Sequence, residues 1–492
     1  MLAFPDVLLP MLLAVPLVTG VVAWRLPVRW SERTHVAGSV LLLGTAWSVA
    51  GQVFATGPLS LGGWLYVDAL SALLLGVVAL VGCGAAAYAV GYLRRDVTEG
   101  RLQPDQPRWF ALWYQLFLAT MLAVLLAENL GLMWVAVEAT TLTSALLVGF
   151  YRTELAVEAA WKYLLLCTVG ITLALFGVLL VYYAGVRVGA ADEGMLSWRA
   201  LVALAPRLDP DLVKLAFVFA LVGYGTKAGF APLHTWLPDA HSQAPTPVSA
   251  VLSGVLLPCA LYAILRFHAI ATGTLGPSFS SNLLLMFGVL SAAVAVPFVL
   301  LQHDLKRLLA YSSIEHIGIV AAAVGIGGPL ALFAAGLHLV GHALGKALLF
   351  FAAGNVAQRY DTRSMARIRG AASALPLSGT ALLAGGLFLA GAPPSALFAS
   401  ELSILAAGFE RGHWLAAAVL IACVALIFVG MLFHIGGLAL GRGPARLDVR
   451  GEGLLSFCLV GLPLVAVGLL GVVVPAPLAE ALRQAATVLA GA

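Results

Sequence analysis

Lys227 stands where hydrocarbon is expected. The stretch LAFVFALVGYGTKAGFAP begins as an apolar helix and carries this amine close to its end. A lone ammonium near mid-membrane costs about 2.5–3.5 kcal/mol on insertion scales, so it is read as a functional group in an ion pathway. Gly229 and Pro232 follow it, and then a polar run with His234, Asp239 and His241. That pattern predicts a discontinuous helix, whose freed carbonyls are tolerable only when buried in protein or facing a wet cavity. Other ionisable residues lie inside apolar runs. Glu138 sits mid-way along GLMWVAVEATTLTSALLVGF, and Lys162 lies early in the next run. Glu315 and His316 share another run; His338, His342 and Lys346 follow at i, i+4 and i+8, one stripe of a helix. Glu401 follows a second Gly/Pro interruption. Burial lowers an amine's affinity for protons and raises a carboxylate's, and each responds to nearby charge, so such groups linked by water can pass protons stepwise. Imidazoles are natural relays. A Glu138–Lys227 or Glu138–Lys162 pair would act as a switch. Lys162 reads equally as a lysine that snorkels to the interface, and His234, Asp239 and His241 equally as caps of the broken helix. His338 and His342 have metal- or haem-ligand spacing, but the sequence puts no third ligand beside them, so neither metal nor cofactor is assigned to this chain. Asp68, Asp304, His303 and His434 read as loop or span-end residues.

The elements that must hold these groups are membrane helices. The chain of 492 residues is 61% hydrophobic and only 10% charged, with mean hydropathy +1.00, whereas a soluble protein carries about 25% charged residues. No polar stretch is long enough for a soluble catalytic domain, and a net charge of +4 is too small to indicate a nucleic-acid partner. Apolar runs fall near 5–24, 34–55, 65–92, 109–127, 129–150, 157–184, 212–240 (broken), 246–272, 281–301, 305–327, 329–354, 374–410 (broken), 414–440 and 453–474. These predict an all-α polytopic membrane protein with about 14 spans, each near the roughly 20 residues a bilayer core requires. The tail from Pro475 reads as a short amphipathic, interfacial piece. Cys83, Cys167, Cys259, Cys423 and Cys458 lie singly in apolar segments, which argues against iron–sulfur or zinc sites. The N-terminus lacks a basic n-region and reads as a retained first span.

Basic residues cluster after alternate spans: Arg25, Arg29 and Arg33; Arg94, Arg95, Arg101 and Arg108; Arg152; Lys306 and Arg307; Arg359, Arg363, Arg367 and Arg369; Arg442, Arg446 and Arg450. Basic loops stay cytoplasmic, which predicts both termini outside. The two breaks, Ala228-Gly229-Phe230-Ala231-Pro232 and Ala390-Gly391-Ala392-Pro393-Pro394, share an Ala-Gly-x-x-Pro match five spans apart. An odd offset inverts topology, so spans four to eight and nine to thirteen are read as two inverted five-helix repeats, each with a broken helix. The predicted division is 1–108 for spans one to three, 109–273 and 274–441 for the repeats, and 442–492 for the last span and tail.

At these residues the sequence resembles the antiporter-like subunits shared by respiratory complex I, multi-subunit Mrp-type cation/proton antiporters and group 4 hydrogenases. GTKAGFAPLHTWLPDAHSQAPTPVSAVLSG is similar to that family's most specific signature, and HDLKRLLAYSSIEHIGIV to its second. The similarity runs from about span three to the end of span thirteen. In the family the proton path uses a span-five glutamate, a span-seven lysine and a span-twelve lysine or glutamate. The resemblance places these on Glu138, Lys227 and Glu401, and the family's span-eleven histidine on His338 and His342. YSSIEHIG, the His-x-x-x-His-x-x-x-Lys stripe and FFAAGNVAQRYDTRSM look most like the hydrogenase-4 F-type component. The resemblance to that component implies a member without the long C-terminal lateral helix of the largest complex I subunit. One position departs: many complex I members carry a span-eight lysine after G-x-L-L, and GVLLP puts Pro258 there. Either another residue bridges the halves, His316 with water being the candidate, or their coupling is weak.

The expectation is a proton-translocating subunit of a larger redox complex of the group 4 hydrogenase or formate hydrogenlyase kind, in the cytoplasmic membrane, with or without exchange of Na⁺. The path runs over Glu138, Lys162, Lys227, His234, His316, His338, His342, Lys346 and Glu401. The chain holds no electron carrier; iron–sulfur clusters and nickel–iron are expected in partner subunits. The rival readings are an Mrp-type Na⁺/H⁺ antiporter subunit, a complex I antiporter-like subunit and a non-pumping membrane anchor.

Overall fold

The computed structural model describes residues 4–189, 196–441 and 452–490. The chain opens with α1 (Phe4–Arg25), α2 (Val28–Thr56), a hairpin of β1 (Leu59–Leu61) and β2 (Leu65–Val67), and α3 (Ala69–Thr98). Next come α4 (Gln106–Leu126), α5 (Leu130–Val148), α6 (Glu154–Arg187), the short α7 (Trp198–Leu204), α8 (Pro210–Ala228) and α9 (Trp236–Gln243). Helix α10 (Thr246–Val251) continues through a π-helical turn, Leu252–Leu256, into α11 (Leu257–Leu275). Then follow α12 (Ser278–Leu300), α13 (Leu305–Ile326), α14 (Gly328–Tyr360), α15 (Ala371–Ala374), α16 (Pro376–Leu389), α17 (Ala396–Glu410) and α18 (Trp414–Ala439). The described chain ends with α19 (Leu454–Ser456), a second π turn (Phe457–Gly461), α20 (Leu462–Leu470) and α21 (Ala476–Leu489).

Among the described residues, 11 helices are long and apolar enough to cross a membrane. This is a nearly all-helical, multi-pass integral membrane protein. The remaining apolar runs form the helix pairs α8–α9 and α16–α17 and the π-interrupted α19–α20. The amphipathic tail is α21, which packs against α3 and α14 with Leu482 at Gly336. Of the basic residues used for orientation, Arg442, Arg446 and Arg450 lie outside the described residues. Lys306 is not a free loop residue: it is 3% exposed, and its amine donates to the Ala244 carbonyl at 2.5 Å.

Helix packing sorts the spans into a core and a shell. The α10–α11 and α13 spans are wholly buried by their neighbours and α14 nearly so, whereas α1, α6, α12 and α18 show most of their surface outward. Lipid tails are as apolar as leucine, so close backbone approach rather than oil–water segregation holds such helices together. Gly288 illustrates this: a Cβ there would collide with the α13 backbone at Gly318 and Ala322. Glu315 on α13 and Lys346 on α14 are enclosed by the surrounding helices.

Both interruptions are built alike. In each, a glycine at positive φ (Gly229, +81°; Gly391, +83°) ends the helix. Phe230 N–H returns to the Gly225 carbonyl, and Ala392 N–H to the Leu387 carbonyl, both at 2.9 Å. These six-to-one bonds, with Gly229 N–H on Thr226 and Gly391 N–H on Phe388, are Schellman caps. Proline follows in both and stops the helix from continuing. Ser395 then caps α17 by accepting from Phe398 N–H at 3.1 Å.

Asp68 starts α3 as its N-cap, accepting from Ser71 N–H at 2.9 Å. The same carboxylate takes Arg266 of α11 at 2.6 Å, and Arg266 is itself stacked on Trp198 and Tyr262. Burial pushes the Asp68 carboxyl up, but the Arg266 guanidinium and the Ser71 hydrogen bonds outweigh it and hold it below the ordinary carboxylate value.

Candidate functional site

The first cluster surrounds Lys227. As the penultimate residue of α8, it sits at the negative end of a helix dipole, which favours a cation. It is 0% exposed. Its amine donates to Thr141 Oγ1 at 2.9 Å and to the Tyr163 hydroxyl. That hydroxyl meets Ser144 Oγ at 2.7 Å. Trp236, packed on the Tyr163 ring, donates to the Thr226 carbonyl at 2.8 Å and so satisfies one acceptor freed by the break. Glu138 lies one turn before Thr141 on α5. Its Oε1 accepts from Thr168 at 2.7 Å, and its buried Oε2 has no partner.

Two expected members stand apart from this cluster. Lys162 pairs with Glu158 at 2.5 Å and with Asp239 at 3.7 Å, with 39% of its side chain exposed. Its amine is part of a charged string, since Asp239 also takes Arg307 at 2.7 Å. A Glu138–Lys162 pair is therefore not formed, and neither is a Glu138–Lys227 pair. His234 is buried beside Phe298 and Tyr311, with Nδ1 unpartnered. His241, read only as a cap or carrier, is fully buried against Phe350 with both ring nitrogens unpartnered.

The second cluster lies on α13, α14 and α17. His316 Nδ1 and His338 Nε2 are 3.0 Å apart, and His338 Nδ1 is 2.9 Å from Ser400 Oγ. Ser400 donates to the Leu397 carbonyl, so His338 donates through Nδ1 and keeps a lone pair on Nε2. His316 then donates through Nδ1, leaving Nε2 as a bare acceptor; that nitrogen has no partner. The His342 ring lies 5.2 Å from that of His316, and its Nε2 donates to the Ser253 carbonyl at 3.2 Å. Lys346 donates to Ser312 Oγ at 2.5 Å and the Leu309 carbonyl at 2.8 Å. Glu401, 4% exposed, packs its carboxylate against Gly391, where any Cβ would collide with Oε2. His316, His338 and Glu401 bring one donor atom each within 4.8 Å of the others. The groups brought beside His338 are thus His316 from α13 and Glu401 from α17, and the i+4 residue His342 is not one of the three.

Pro258 lies just after the π turn of α10–α11. Lacking an N–H, it cannot complete the regular ladder there, and π turns of this kind often occur at functional sites. Ser253 in that turn faces the second cluster twice: its carbonyl takes His342, and its hydroxyl meets Ser313 Oγ at 2.7 Å. The helix that lacks the expected lysine therefore reaches α14 through serine.

The hydroxyls of Tyr163, Thr141, Ser253, Ser312, Ser313 and Ser400 belong to the site although the sequence does not mark them. Their only signal is proximity in sequence to charged positions, because Ser and Thr in spans usually bond their own helix. Among the described residues, no ion pair involves Lys227, Lys346, Glu138, Glu315 or Glu401. The arrangement is a set of buried amines, imidazoles and carboxyls joined through hydroxyls, chemically suited to moving protons.

Residues 127–427 match the family described as NADH:quinone oxidoreductase/Mrp antiporter, TM. The chain belongs to this family. It is 41% identical over 379 residues to a hydrogenase-4 component F homolog from Methylacidiphilum infernorum, covering 77% of this chain and 78% of that protein. It is 33% identical to NADH-quinone oxidoreductase subunit N of Desulforudis audaxviator, over 73% of this chain and 69% of the relative. A chain in the archaeal membrane-bound sulfane sulfur reductase superposes with a TM-score of 0.87 at 25% identity, covering 97% of each. The antiporter-like family expected from the Lys227 and Glu315 signatures is thus the one that matches.

Proposed function

We propose that this chain is the proton-translocating membrane subunit of a multi-subunit redox complex of the group 4 hydrogenase or formate hydrogenlyase kind. The observation that carries the reading is Lys227, a wholly buried amine at a helix break, held by hydroxyls and not by a carboxylate. A buried amine without a fixed counter-ion releases its proton readily, because burial disfavours its charged form and no ion pair must be broken. In this account 14 spans cross the cytoplasmic membrane with both termini outside. Residues 1–108 precede two inverted repeats, 109–273 and 274–441, and 442–492 closes the chain. Protons enter from the cytoplasm near α8–α11, with Lys162 and His234 toward the entrance. They pass Glu138 and Lys227, cross by Ser253 to His342, His316, His338 and Lys346, and leave by Glu401.

Redox chemistry belongs to partner subunits carrying iron–sulfur clusters and nickel–iron. The hydrogenase-4 component F homolog supports this over a complex I role. The family description also includes Mrp antiporters, so an Na⁺/H⁺ exchanger without redox partners is the second reading. Mild-detergent purification of the tagged protein separates them. Co-purifying iron–sulfur subunits with nickel support the redox complex. Small membrane partners without metal, and proton flux that requires Na⁺, would replace it with the exchanger.

A further inference from the structure

The lone pair on His338 Nε2 points at His316 Nδ1 across 3.0 Å, with Glu401 as third neighbour and all donors within 4.8 Å. All three side chains are at most 4% exposed. Ser400 holds the opposite nitrogen of His338, the outer-shell contact that fixes a metal-binding histidine in the right tautomer. Two imidazoles and a carboxylate are a donor set for zinc-class ions, with bonds of about 2.0–2.2 Å. Tetrahedral bonds of that length separate donors by about 3.3 Å, close to the observed nitrogen spacing; Glu401 must move inward by about 1 Å or more.

We propose that His316, His338 and Glu401 form a buried binding site for a divalent transition-metal ion of the zinc class, and that occupancy locks the second half of the path. For both histidines to ligate one ion, the His316 proton moves from Nδ1 to Nε2, whose position is unpartnered. The ring stays neutral. Glu401 binds as carboxylate, so a proton held there leaves. The ion then occupies the lone pairs that a proton relay needs. Binding stands on the donor geometry alone; blockage rests on the proton-path reading above.

The test loads Zn²⁺ onto the full-length protein, purified with its co-purifying subunits and stripped by chelator. Metal content and zinc-edge X-ray absorption are read, and proton flux is followed separately. The expected result is one chelator-removable zinc per chain with two imidazoles in its shell, lost in Glu401→Gln and in His338→Gln. Lys227→Ala should keep it, since that residue lies in the other cluster. An all-oxygen or sulfur shell in the wild type, or zinc unchanged in both variants, overturns the site even if either variant folds poorly. Zinc bound with two imidazoles but without effect on proton flux overturns the lock while leaving the site. Unchanged flux in Lys227→Ala would instead count against the proton path.

Discussion

Lys227 is held by two hydroxyls on two other helices, and this makes the Tyr163 hydroxyl more than packing. It touches the amine on one side and Ser144 on the other. A hydrogen bond to a charged group contributes roughly 1.5–3 kcal/mol, so Tyr163→Phe should slow proton flux by about tenfold or more while the complex assembles. The initial rate of acidification in vesicles checks this; an unchanged rate would make the hydroxyl a bystander. Lys227, Glu138 and Glu401 were legible as charged residues in apolar runs, because the cost of burying charge is readable from composition alone. Tyr163, Ser253 and Ser400 were not, because a hydroxyl in a membrane helix costs little and gives no comparable signal. Lys162 takes the interfacial one of its two readings, half-exposed and paired with Glu158 at i−4, which the spacing allows; the approach of Asp239 from α9 was not legible.

At the scale of elements, the breaks were legible because Gly and Pro dictate local backbone. Gly391 carries both a left-handed φ and the closest approach of Glu401. Gly391→Val should destabilise the protein by about 1–3 kcal/mol, seen as a lowered midpoint of thermal unfolding in detergent. An unchanged midpoint would mean that the backbone there relaxes freely. The Asp68–Arg266 pin joining α3 to α11 was not legible, since a carboxylate at the end of a span gives no sign of the partner that packing brings to it. Removing one partner of a buried pair costs about 3–5 kcal/mol, so Asp68→Asn should lower the unfolding midpoint at neutral pH. Because the folded carboxyl is held below its ordinary value, this stability is complete above about pH 4. It fades as pH falls further, so the wild-type advantage should shrink there. An advantage independent of pH would assign the effect to packing. The π turn was not legible, although Pro258 was, because a proline in a helix has several backbone outcomes and only packing against α14 selects among them.

Across the whole molecule, the two clusters occupy different helices: α5, α6 and α8 around Lys227, and α13, α14 and α17 around His338. The core helices α10–α11 run between them and contact the second through Ser253. Fold class and family were legible because hydropathy and two long signatures extend over most of the chain. The convergence of His316, His338 and Glu401 was not, since it depends on how α17 packs against the consecutive helices α13 and α14. Transport and assembly can therefore be separated, because Lys227 is one side chain in a fold held elsewhere. The measurement that bears most directly on this account is protons moved per electron by the purified complex in liposomes, wild type against Lys227→Ala. The variant is expected to assemble with the same subunits while its proton yield drops to the leak level. A fully assembled variant with the wild-type yield would contradict this and leave Lys227 a structural residue.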